Sequence, residues 1–494
     1  MPAVAGPPLY ARGVPQRSIR LRTEEADSEV RAGLGRIREE FAVPGAFPAA
    51  VTAEAVRAAR HSPEPAPDVS ELPFFTLDPP GSMDLDQAMH LERRAEGYRV
   101  HYAIADVVSF VRPGGAVDTE SHARGVTLYL PDARVPLHPS ELSEGAASLL
   151  PGQRRPAVVW TIDLGGDGEI TAVDVARRLV TSGERLDYAG AQRDAAADPR
   201  LALLAEIGTL LLRAEAERGG VSLPLPEQEV VRRDGGWGLA FRGGLPSEAW
   251  NAQISLLTGR AAARLMLDGG IGLLRTMPPP PAEAVARLRR SATALGIGWP
   301  DGRSYGEVVR GLDPSDSRHA AFLHEAVGLM RGAGYTAFDG TGPKETGPDA
   351  AALEHAAVAA PYAHVTAPLR RLADRYATEI CLALTAGGEI PGWVRSALPG
   401  LPDLMRRSLQ RGASVDRACV DLVEALLLRD HVGEVFDAVV VDVSGNGSGG
   451  LVQLLSPAVL ARCDGDGLPL GDPVRVRLVE SDPVRRQVRF VPAA

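Results

Sequence analysis

Apolar residues recur at three- and four-residue spacing between Ser28 and Phe41, where Val30, Leu34, Ile37 and Phe41 fall on one helical face. A second such pattern covers Thr52–Arg60, with Thr52 placed as an N-cap and Glu54 in the first turn. Two short helices across a Pro/Gly-containing turn fit a helix-turn-helix or winged-helix module. They fit equally a packing extension of the neighbouring domain. Strand-like runs come next, at Leu72–Leu77, Tyr98–Val111, Val126–Leu130 and Val158–Ile162, each bounded by Gly or Pro. Later segments revert to helical spacing: Ala249–Leu267, Pro281–Leu295, His319–Met330, Pro368–Thr385 and Val415–Arg429. Strands first and helices after predict an α+β fold. The last stretch is β-rich again, at Glu434–Val443, Gly450–Leu454, Pro473–Val479 and Gln487–Val491, with Gly-rich turns between. About sixty residues with roughly five short strands suit an OB-type barrel.

These changes divide the 494-residue chain into three parts. Residues 1–70 form an N-terminal helical module that opens with Pro- and Arg-rich sequence and ends in a linker at Pro63–Pro67. Residues 71–430 form a large α+β domain, and residues 431–494 the barrel. No internal repeat of about 20–50 residues is visible.

Composition narrows the class. Apolar residues make up 45% and charged residues 23%, close to globular averages, so most of the chain is expected to fold. No run approaches the ~18 apolar residues of a membrane helix. Met1–Pro8 lacks the basic and apolar regions of a signal peptide. Cys381, Cys419 and Cys463 lie far apart and match neither a disulfide framework nor a CxxC zinc site. A cytoplasmic location is expected. The formal charge of −10 argues against a protein that coats nucleic acid over its whole surface, but permits a locally basic channel. Basic character is almost wholly arginine, since Lys344 is the only lysine, and guanidinium forks suit phosphate. Arg475, Arg477, Arg485, Arg486 and Arg489 mark the closing strands as a candidate RNA-backbone contact.

The most informative stretch is Asp78-Pro79-Pro80-Gly81-Ser82-Met83-Asp84-Leu85-Asp86-Gln87-Ala88. Prolines and a glycine force an irregular loop after a strand. Three acids on such a loop can converge, and clustered hard oxygens suit Mg2+ or Mn2+. Two such ions about 4 Å apart can activate water and stabilise a leaving oxygen in phosphodiester hydrolysis. An acidic solvated turn is the alternative. Leu77, Met83, Leu85, Ala88 and Met89 argue for burial, where uncompensated carboxylates are costly.

This stretch resembles the signature loop of the RNB domain of RNase II and RNase R. Further runs resemble that family in order: Ile104-Ala105-Asp106-Val107, Val111-Arg112-Pro113-Gly114 with Asp118, Gly125 through Tyr129-Leu130-Pro131 with Val135-Pro136, and Glu141-Leu142-Ser143. Tyr362-Ala-His364-Val-Thr366-Ala-Pro368-Leu-Arg370-Arg371-Leu-Ala-Asp374 resembles the family's YxHFTSPIRRYAD segment.

The resemblance implies a metal-dependent 3′→5′ exoribonuclease that degrades single-stranded RNA to 5′-nucleoside monophosphates. It implies Asp78, Asp84, Asp86 and Gln87 at the metal, with Asp86 the most sensitive to substitution. Arg370 would meet the scissile phosphate, with Arg371 beside it, and Tyr129 and Tyr188 would hold the 3′-terminal nucleotides. Read from the residues alone, Thr366 caps a helix with Pro368 early in it, which places Arg370 and Arg371 at a positive helix end. An Arg370–Asp374 pair at i,i+4 fits the same spacing.

Three positions depart from the family pattern. Gln87 stands where a fourth acid is usual, Ala103 where His is usual, and Ala367 where Ser is usual. The acid expected on the central helix near Gln253 is not placed. The rival reading is a catalytically weakened RNB-like RNA-binding protein. The expected partner is single-stranded RNA, with a monomeric chain and no membrane contact.

Overall fold

The computed structural model describes residues 24–60, 66–224, 227–233, 236–314, 316–340, 350–444, 447–454 and 456–493. The opening Pro/Arg-rich residues and most of the expected linker lie outside these. Helices α1 (Glu24–Glu40) and α2 (Ala49–Arg60) come first. Strands β1 (Phe74–Asp78), β2 (Gln87–Arg94) and β3 (Gly97–Ala105) follow, then helix α3 (Ala116–Arg124). Strands β4 (Arg154–Gly165) and β5 (Ile170–Asp187) complete a closed five-stranded barrel. It is an antiparallel meander whose last strand returns parallel to the first, with Asp78 in register with Asp187.

Two strands of this barrel escaped the sequence pattern. β2 and β5 mix charged and apolar residues because barrel closure satisfies their backbones on both sides, so the ladder stabilises them without a continuous apolar run. The run expected at Tyr98–Val111 stops at Ala105 and turns through Val107–Ser109.

Four helices frame the barrel: α4 (Pro199–Arg218), α5 (Pro246–Gly269), α6 (Leu372–Thr385) and α7 (Leu401–Leu428). Their buried faces share one core with strand residues of the barrel, including Tyr102 and Trp160 beside Ile254 and Ile380. α6 begins later than expected, since the residues from Thr366 to Arg371 give their polar groups to tertiary partners. Thr127 N donates to Arg370 O, Gln87 Nε2 to Thr366 O, and Leu369 N to Asp86 Oδ1. Thr366 therefore does not cap a helix. The α7 helix is far longer than Val415–Arg429.

The helix-turn-helix expectation for α1 and α2 is not met, because the two helices share no core. Val30, Leu34 and Ile37 of α1 are fully buried in the main core, while Val51 and Ala55 of α2 pack in a second cluster with Val117 and Leu142. Burying one such side chain contributes about 1.5–3 kcal/mol. Thr52 lies inside α2, which starts at Ala49.

The C-terminal strands β6 (Val435–Val443), β7 (Ser448–Leu454), β8 (Leu460–Asp466), β9 (Pro473–Asp482) and β10 (Gln487–Pro492) close a second barrel, with neighbours in the order β6-β7-β8-β10-β9. Its core centres on Val440, Val452, Val476, Leu478 and Phe490, as an OB-type barrel requires. Together the elements form a multidomain α+β chain. No helix among the described residues is long and apolar enough to cross a membrane.

Candidate active site

Register brings the site together. β1 ends at Asp78 beside Asp187, whose side chain caps the short helix Tyr188–Asp194 by accepting from Gly190 N. Tyr188 is thereby set beside Asp78. The loop from Pro79 to Asp86 is pinned from below by Ser148, whose Oγ accepts from Leu85 N at 2.9 Å and donates to Met83 O at 2.6 Å. β2 then begins at Gln87.

The acids line one cavity of about 490 Å³, with Asp78, Asp84, Asp86 and Gln87 on one wall and Tyr129, Tyr188, Arg370 and Arg371 around them. Asp86 is 5% exposed. Its Oδ1 accepts from Leu369 N at 2.8 Å, and Arg370 Nε lies 3.6 Å from its Oδ2. Burial pushes the Asp86 carboxyl up to about 8 and that of Asp78 up to about 6. Asp78 Oδ2 is buried with no hydrogen-bond partner among the described residues. Asp84 Oδ1 meets Arg134 Nη1 at 2.5 Å, and Tyr129 OH lies 3.5 Å from Asp84 Oδ2.

Gln87 is committed on both ends of its amide. Nε2 donates to Thr366 O at 2.6 Å, and Oε1 accepts from Tyr102 OH at 2.5 Å. It lines the cavity as a strut between β2, β3 and the Arg370 turn. The two arginines divide their duties. Arg371 forms the two-pronged pair with Asp374, at 2.9 and 2.8 Å, and Asp374 is fully buried. The alternative Arg370–Asp374 pair does not form, because the turn before α6 aims Arg370 at Asp86 instead. Tyr188 OH accepts from Asn251 Nδ2 at 3.2 Å.

Sequence reasoning missed several lining residues. Glu248, Asn251, Ala252 and Ser255 of α5 line the cavity at helical spacing, and that period was the available signal. Gln253 points away and donates to Glu215 in the core. Tyr362 enters where Gly259 lets α5 pass close, since a Cβ there would collide with the Tyr362 ring and with Ala363 O.

A divalent cation can be tested against these groups. The donors are hard oxygens, one buried carboxylate oxygen is unpartnered, and two carboxyls are desolvated without full compensation, which fits a hard cation in kind and charge. Among the described residues, though, no three His, Cys, Asp or Glu side chains form a ready-made metal group. Guanidinium groups stand at Asp84 and Asp86.

A second cavity of about 370 Å³ shares Tyr129, Arg370 and Arg371 with the first and runs along Leu409, Gly412, Ala413 and Asp416 of α7. A third, of about 480 Å³, lies between Asp421 and Glu424 of α7 and Arg462, Arg486 and Arg489 of the second barrel. Several arginines of that barrel are engaged within the chain. Arg486 pairs with Glu40, Arg489 with Asp464 and Glu480, and Arg485 with Asp482, while Arg477 donates to Gly433 O.

A closed barrel that presents loop-borne acids and an arginine turn, followed by a second OB-type barrel, defines an RNB-type fold. Residues 67–385 match the RNB domain, so the chain belongs to the RNB-domain ribonuclease family. Residues 434–493 match the RNase II-type exonuclease C-terminal S1 domain. Ribonuclease R of Escherichia coli (strain K12) is 26% identical over 505 residues, which cover 91% of this chain and 60% of that protein. Ribonuclease R of Aquifex aeolicus is also 26% identical, over 92% of this chain and 69% of that protein. The chain thus spans 60% of the length of its Escherichia coli relative. Among solved structures, Mycoplasma genitalium RNase R in complex with ribose methylated single-stranded RNA superposes with a TM-score of 0.83 at 18% identity, over 94% of this chain and 78% of that one. The yeast pseudonuclease Ssd1 gives 0.65 at 18% identity, over 83% of this chain and 51% of that one.

Proposed function

We propose that the chain hydrolyses single-stranded RNA from the 3′ end to 5′-nucleoside monophosphates, with Mg2+ or Mn2+ held by Asp78, Asp84 and Asp86. The observation that carries this reading is the shared cavity, which Asp78, Asp84 and the buried Asp86 line together with Arg370, Tyr129 and Tyr188. A bound divalent ion would supply an activated water and charge stabilisation at the phosphate. Arg370, partly exposed and aimed at the acids, contacts the scissile phosphate and stabilises its developing charge. Tyr129 and Tyr188 hold the terminal nucleotides, and ring stacking makes that grip independent of sequence. The RNA strand approaches along the α7 floor, past Gly412 and Ala413. The activity and RNA partner follow those named for the ribonuclease R relatives and for the Mycoplasma structure bound to single-stranded RNA.

A second reading, an RNA-binding protein with weakened catalysis, draws on Gln87, whose amide is occupied by Thr366 and Tyr102. One assay separates the two. Labelled single-stranded RNA is incubated with the protein and Mg2+, with and without chelator. Mononucleotide release abolished by chelator supports the nuclease, and intact but bound RNA supports the rival.

A further inference from the structure

Arg134 sits at an unusual place for a cation. It lies directly across from Tyr129 in the two-residue hairpin Leu128–Tyr129 and Arg134–Val135. Its guanidinium forks between two acids of different standing. Nη1 touches Asp84 Oδ1 at 2.5 Å, inside the site, and Nη2 touches Glu144, on the turn Leu142–Ala146 outside the acidic loop. The Asp84 side chain is 14% exposed and that of Glu144 34%.

Three facts make the contact with Asp84 a controlling one. A guanidinium keeps its charge at any physiological pH, so proton loss cannot relieve competition for the oxygen it holds. The oxygen it holds belongs to one of the three loop acids, and two cations on one carboxylate oxygen repel. The hairpin is held without Arg134, by the Arg38–Asp132 side-chain pair at 2.5 Å and Thr127 N to Arg370 O at 3.0 Å, and internally by Leu130 N to Ala133 O at 2.9 Å and Leu137 N to Thr127 Oγ1 at 3.0 Å. The side chain can therefore leave Asp84 without moving Tyr129.

We infer that Arg134 is an exchangeable counter-charge for Asp84, which yields that carboxylate to an incoming divalent cation and rests on Glu144 when it does. Arg134 is on this view a positioning residue that sets cation affinity, and Glu144 is its alternative seat. The inference rests on the proposed metal role of Asp78, Asp84 and Asp86. It predicts opposite effects from the two partners. Without Arg134 the cation meets no competitor. Without the Glu144 charge, Arg134 leans wholly on Asp84 and competes harder.

The test is Mn2+ titration of the full chain without RNA, read by the paramagnetic resonance signal of free Mn2+, with melting curves as a check on folding. Arg134→Gln should tighten Mn2+ binding about tenfold, and Glu144→Gln should weaken it severalfold. Asp84→Asn should weaken binding and erase the effect of Arg134→Gln in the double variant. Opposite signs would not arise from a merely structural role for the hairpin. Asp84→Asn weakening Mn2+ binding while Arg134→Gln and Glu144→Gln leave it within twofold of wild type would overturn the inference alone. Mn2+ binding indifferent to both Asp84→Asn and Asp86→Asn would overturn the metal reading beneath it.

Discussion

Asp86 and Leu369 are joined by a hydrogen bond from the Leu369 amide to Asp86 Oδ1, 2.8 Å long and spanning 283 positions of sequence. The turn bearing Arg370 is thus fastened to the acid that Arg370 faces. The substitution Asp86→Asn can retain an oxygen for Leu369 while it replaces the other carboxyl oxygen by an NH2 group and removes the capacity for negative charge. Single-turnover cleavage of RNA should fall more than about 10²-fold, with RNA affinity near that of wild type. Undiminished cleavage would refute the role given to Asp86.

Arg370 and Arg371 should separate cleanly on substitution. Arg370→Ala is expected to slow cleavage about 10²–10³-fold with little change in melting temperature. Arg371→Ala leaves the fully buried Asp374 unpaired and should cost on the order of 3 kcal/mol of stability. Parallel melting and rate measurements on both variants check this, and the reverse pattern would show the assignments to be exchanged.

Glu424 ties three parts of the molecule. Its Oε1 accepts from Leu460 N in the second barrel at 3.0 Å and from Gln228 Nε2 in the hairpin Glu227–Arg233/Gly236–Arg242 at 2.6 Å. Burial pushes its carboxyl from 4.5 up to about 7. The folded chain therefore holds a proton that the unfolded chain has released between those values. The resulting stability is complete below the lower value and declines as pH rises through about 7. Glu424→Gln should flatten the fall in melting temperature between about pH 5 and 8 and raise it at the alkaline end. Superimposable pH profiles for the two proteins would contradict this.

Leu34 tests whether α1 is an appendage or part of the core. It is fully buried in the main cluster, and α1 is further held by Glu29 to Arg429 and Glu40 to Arg486. Leu34→Ala should cost about 2–5 kcal/mol in urea unfolding and do so in a single transition. A separate early transition, with the rest of the chain unaffected, would mark α1 as an independent module.

Local sequence carried much of this molecule. The acids from Asp78 to Asp86 are neighbours in the chain, and prolines with a glycine enforce the bend that lets them share a cavity. The face of α1 was readable because helical burial repeats every three or four residues. The second barrel announced itself by short apolar runs between Gly-rich turns. Long-range pairing decided the rest. β2 and β5 are strands because their neighbours in the closed barrel complete their hydrogen bonds, which no local window of mixed residues records. Arg370 and Arg371 have identical chemistry, and only the turn before α6 decides which reaches Asp86 and which is bound to Asp374. Arg134 and Asp84 lie fifty positions apart, so their contact required the hairpin to be folded over the acidic loop. Side-chain type and local spacing set what each residue can do; packing across the chain set whom it meets, because charge and hydrogen bonding act over a few ångströms of space whatever the distance along the backbone.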